Sequence, residues 1–68
     1  MSRSMCPMTP KAAAALLAAR GVLPSSVATP TTMVDALSNT LREMRIPLKE
    51  APTDFPAVLA ELHRLTEL

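Results

Sequence analysis

Seven prolines and one glycine punctuate a chain of 68 residues, and that punctuation restricts it to short helical blocks. Proline has a fixed φ and no N–H, so it can open or close a helix but disrupts one from inside. The sharpest boundaries are Thr9-Pro10 and Gly21. Pro10 suits the first helical position, where an N–H would lack a partner anyway, and Gly21 can take the left-handed conformation that stops a helix. Lys11 to Arg20 therefore reads as a first helix, with Val22 folding back on Leu17 just past the glycine. A second helix is expected from Thr32, its hydroxyl accepting from the N–H near Asp35, to about Arg45. Pro47 ends it, because the residue before a proline, here Ile46, is pushed out of the helical region. Thr53 or Asp54 should cap a third helix near residues 55–67.

Periodicity supports the same division. Val34, Leu37, Leu41 and Met44 recur at spacings of three and four, with Asp35, Ser38, Asn39, Arg42 and Glu43 on the opposite face. Phe55, Val58, Leu62 and Leu65 form the stripe of the third helix, widened by Leu59, while Glu61 with Arg64 and His63 with Glu67 make surface pairs. The first helix is alanine-rich from Ala12 to Ala19, with only Leu16 and Leu17 large. Such a helix forms readily and admits a close neighbour. No alternating run is long enough for a strand. The expected fold is all-α: a small three-helix mini-bundle over residues 10–68, packed through Leu16, Leu17, Val34, Leu37, Leu41, Val58, Leu62 and Leu65, preceded by a flexible basic N-terminal arm over 1–9.

A single core of this size supplies about 3–5 kcal/mol. One cysteine closes no intrachain disulfide, so stability is expected to draw on oligomerisation or on a partner. The lone thiol fits a reducing compartment, the cytoplasm, and no stretch approaches the ~20 apolar residues of a membrane span. Arg3, Lys11 and the run Ala12 to Ala19 imitate a short targeting signal, as does the lack of any acid before Asp35. The apolar run is weak, however, and Arg20 falls where small residues should precede a cleavage site.

Chemistry-bearing constellations are scarce. Met5, Cys6 and Met8, with Met1 nearby, assemble soft sulfur ligands, but no histidine or second cysteine closes the site, so neither metal nor haem is expected as a cofactor. His63 beside Glu67 reads as a solvated pair. No phosphate loop, zinc spacing, calcium loop or nucleophile–base pair is present, and three helices with one phenylalanine enclose little, so an enzyme is not expected.

Charge is unevenly placed. Residues 1–20 carry Arg3, Lys11 and Arg20 with no acid, a charge of +3, and the remainder carries four basic and six acidic residues, a charge of −2. The leading expectation is a small non-enzymatic regulator that docks on a larger protein, such as an inhibitor or modulator of the transcription machinery of the phage type acting on RNA polymerase. The contact residues would be Arg3, Lys11, Arg20, Arg42 and Arg45, with Met33, Met44 and Phe55 as apolar candidates. The alternative is a DNA-binding module with a degenerate helix-turn-helix around Gly21, in which Leu16, Gly21, Val22 and Val27 take the packed positions. Against it, Ser25 to Thr29 offers no side chain to read base edges, and Pro30 interrupts the second helix.

Overall fold

Each α-helix opens on a threonine or aspartate followed closely by proline. The computed structural model describes residues 8–67, and within them the chain is a small all-α bundle: α1 (Pro10–Ala19), α2 (Pro30–Glu43) and α3 (Phe55–Thr66), with 3₁₀ turns at Pro24–Val27 and Leu48–Glu50. Among the described residues there is no strand, and no helix is long and apolar enough to cross a membrane. The expectations for Arg3, Met5, Cys6 and the rest of the arm's first seven residues lie outside the described residues. Met8 and Thr9 belong to the fold. The Met8 N–H donates to the Glu50 carbonyl at 2.8 Å, and Thr9 Oγ1 accepts the Ala12 N–H at 3.1 Å as the cap of α1.

The start of α2 differs from the expectation. Thr29, not Thr32, is the cap: its hydroxyl accepts the Thr32 N–H at 3.3 Å, while Thr32 Oγ1 accepts the Thr29 N–H at 3.2 Å. Pro30 then occupies the first helical position instead of interrupting a helix. The physical signal is the same Thr-Pro pair that opens α1. For α3 the cap is Asp54, which accepts the Ala57 N–H at 3.3 Å.

Both α1 and α2 end in the same motif. After α1 the Gly21 N–H donates to the Ala18 carbonyl and the Val22 N–H to the Leu17 carbonyl, each at 3.0 Å, with Gly21 at φ +80°. After α2 the Arg45 N–H donates to Arg42 and the Ile46 N–H to Leu41, at 3.2 and 2.9 Å, with Arg45 at φ +60°. The left-handed position that glycine fills without strain in the first case is filled by arginine in the second. Hence α2 closes at Glu43, two residues before the expected end.

Ala13, Ala14 and Leu17 of α1 are buried and pack with Val58 and Leu62 of α3, so the alanine face of α1 is consumed inside the molecule. Leu37 and Leu41 are buried, and Leu16 and Leu65 half-buried, as expected. Met33, taken as a surface candidate, is 1% exposed and belongs to the core, whereas Val34, assigned to the core, is 45% exposed. The buried face of α2 is Met33, Leu37, Thr40 and Leu41, rotated from the stripe that runs through Val34 because the turn Pro24–Val27 packs on the Met33 side and delivers Val27 to the core.

Candidate functional site

Arg3 lies outside the described residues, and among the other basic residues expected to contact a partner Lys11 stands apart from Arg20, Arg42 and Arg45, which lie near the C-terminal end of α2. Lys11 is exposed in the first turn of α1, and Arg20 is at the other end, roughly 13 Å of helix away. Arg20 turns inward, donating from Nη1 to Thr40 Oγ1 at 3.1 Å and from Nη2 to Glu43 Oε2 at 3.1 Å. Thr40 is the buried polar side chain of α2, so this guanidinium satisfies it and fastens the end of α1 to the last turns of α2. Arg42 and Arg45 are exposed at the C-terminal end of α2, where the helix dipole favours a cation.

The more informative surface is apolar. Val34 and Leu48 are 45% and 48% exposed, and both line a groove of about 340 Å³ with Leu37, Ser38, Lys49 and Phe55. Its first wall is the outer edge of α2. The opposite wall is the 3₁₀ turn Leu48–Glu50, closed by the Ala51 N–H on the Leu48 carbonyl at 3.0 Å and held at its base by the buried Pro52. Phe55, half-buried at the start of α3, also lines a second hollow of about 240 Å³ with Val27, Pro30, Met33 and Leu59. The one phenylalanine of the chain thus borders two apolar depressions.

Sequence reasoning reached Phe55 and Arg42 but missed Leu48, Lys49 and the role of Val34. The usable signal was a large apolar residue, Leu48, in the segment between Pro47 and Pro52. Such a segment is too short to bury its own side chains.

Other surfaces are chemically plainer. The hollow beside Gly21 is lined by Asp35 and Asn39, with no cation to meet a phosphate. One 3₁₀ turn, Pro24–Val27, follows the glycine where a helix-turn-helix requires its recognition helix. The His63 Nδ1 to Glu67 Oε2 contact, at 3.7 Å, lies exposed on α3 next to the Glu61–Arg64 pair at 3.2 Å. Among the described residues no three histidine, cysteine, aspartate or glutamate side chains are grouped to hold a metal ion. No protein-family model, curated protein or solved structure matches this chain.

Proposed function

We propose that this protein is a small non-enzymatic regulator that acts by docking on a larger protein. One observation carries the reading: Val34 and Leu48 stand about half exposed together in a single groove, whereas the other exposed large apolar side chains, Leu23 and Met44, line neither it nor the hollows beside Phe55 and Gly21. An exposed apolar patch with a polar rim is what a protein-binding surface needs. Catalysis needs a nucleophile and base in contact inside a pocket, and the groove is lined instead by Val34, Leu37, Leu48 and Phe55, with Ser38 and Lys49 as polar neighbours. The single thiol, Cys6, fits action in the cytoplasm, and RNA polymerase is the first defined partner to try.

The test is crosslinked affinity capture with the whole chain, in parallel with Val34→Asp and Leu48→Asp. Both positions are exposed, so helicity should be unchanged by circular dichroism. The expected result is one protein recovered by the parent and lost by both variants. Equal recovery by all three refutes the reading, as does binding to random duplex DNA that falls steeply with salt.

A further inference from the structure

We infer that the groove takes an acidic amphipathic segment of the partner, with its apolar side chains against Val34 and Leu48 and its carboxylates against Arg42, Arg45 and Lys49. The inference rests on the docking reading above and adds the chemistry of the occupant.

Charge complementarity selects it. Arg20 and Arg64 are already engaged, by Glu43 and Glu61. Among the described residues no carboxylate lies within ion-pair distance of Lys11, Arg42, Arg45 or Lys49. Three of these free cations fall between residues 42 and 49, the stretch that leads from the last turn of α2 into the far wall of the groove. Lys49 lines the groove itself. Arg42 stands one turn beyond Ser38, itself one turn beyond Val34, so all three share a row on α2. Of the acids nearby, Glu43 holds Arg20, Asp54 caps α3 and Asp35 lines the hollow beside Gly21, while Glu50, next to Lys49, is unpaired among the described residues but does not line the groove.

Arg45 supplies an independent pointer. It is held at φ +60°, the conformation that Gly21 adopts freely at the matching end of α1. A strained residue kept where glycine would relax the backbone points to a use for its side chain. The same cations argue against a second copy as occupant, since a two-fold pairing through this groove sets like charges against each other. A phosphate backbone would meet these cations but leave the apolar floor at Val34 and Leu48 uncovered.

The experiment is selection of a random peptide-display library on the whole chain, followed by amide chemical-shift mapping with a selected peptide. The expected peptides place Asp and Glu around large apolar residues and shift the amides of Val34, Ser38, Leu48 and Lys49. Charge reversal by K49E, or by R42E and R45E together, should weaken such a peptide by roughly tenfold or more, with the helical spectrum retained. Peptides that bind in this groove without acidic preference, or unaffected by reversal, overturn the inference while leaving the docking reading intact. Binding at another surface, or self-association that protects these same amides, also overturns it. Failure to select any peptide counts against both.

Discussion

Replacing Arg45 by glycine should make the protein more stable, although it removes a charge that suits the helix end. At φ +60° the arginine sits in the left-handed region, where an L-residue is strained by about 1–2 kcal/mol. Glycine removes that strain but returns about 0.5–1 kcal/mol through the greater freedom of the unfolded chain. The net gain is about 0.5–1 kcal/mol, less a few tenths for the lost interaction with the helix dipole. In a domain of this size that raises Tm by roughly 1–5 °C. The informative companion is Gly21→Ala. An added Cβ at Gly21 meets no atom within 4 Å, so any loss of stability there is backbone strain rather than a clash, and about 1 kcal/mol of destabilisation is expected. Arg45→Ala keeps the strain and deletes the guanidinium, which isolates the side chain. Urea unfolding of the three variants decides the matter. If Arg45→Gly is no more stable than Arg45→Ala, the left-handed cap is not where the strain lies. Combined with peptide binding, Arg45→Gly should gain stability while losing affinity.

Other variants probe the packing. Met33→Ala should cost about 2–5 kcal/mol and leave the protein largely unfolded by circular dichroism, while Met44→Ala, at an exposed position, should stay within about 0.5 kcal/mol of the parent. Leu41→Ala removes a fully buried side chain and should also approach the whole stability of about 3–5 kcal/mol; a cooperative unfolding transition near the parent's midpoint would contradict that. Arg20→Ala should lower stability by about 1 kcal/mol because it orphans the buried Thr40 hydroxyl, and a double-mutant cycle with Thr40→Val should show coupling, whereas additive losses would mean the hydrogen bond contributes nothing. Thr29→Ala should cost about 0.5–2 kcal/mol as the cap of α2, with Thr32→Ala weaker but in the same direction; the reverse order would restore Thr32 as the helix start.

The helical blocks were legible in the residues because their determinants are local. Thr9-Pro10 and Gly21 bracket α1, Asp54 caps α3, and the 3.6-residue spacing identifies amphipathic helices whatever surrounds them. The same local logic recurs at Thr29-Pro30, where the pair could have been recognised from its copy at Thr9-Pro10. Which edge of an apolar stripe is covered is not local. Met33 and Val34 are neighbours at an angle of about 100° around α2, and only the placement of the Pro24–Val27 turn on one side decides that Met33 enters the core and Val34 faces the groove. Arg20 illustrates the same limit: its sequence position marks it as a surface cation, and the approach of α2, bringing Thr40 and Glu43 within 3.1 Å, makes that exposed cation a fastener between two helices. The groove depends on the path from Pro47 to Pro52, which sets Leu48 and Lys49 beside α2. Capping and periodicity act over one helical turn, whereas burial and charge pairing depend on which distant segment arrives, and that was settled by the tertiary packing alone.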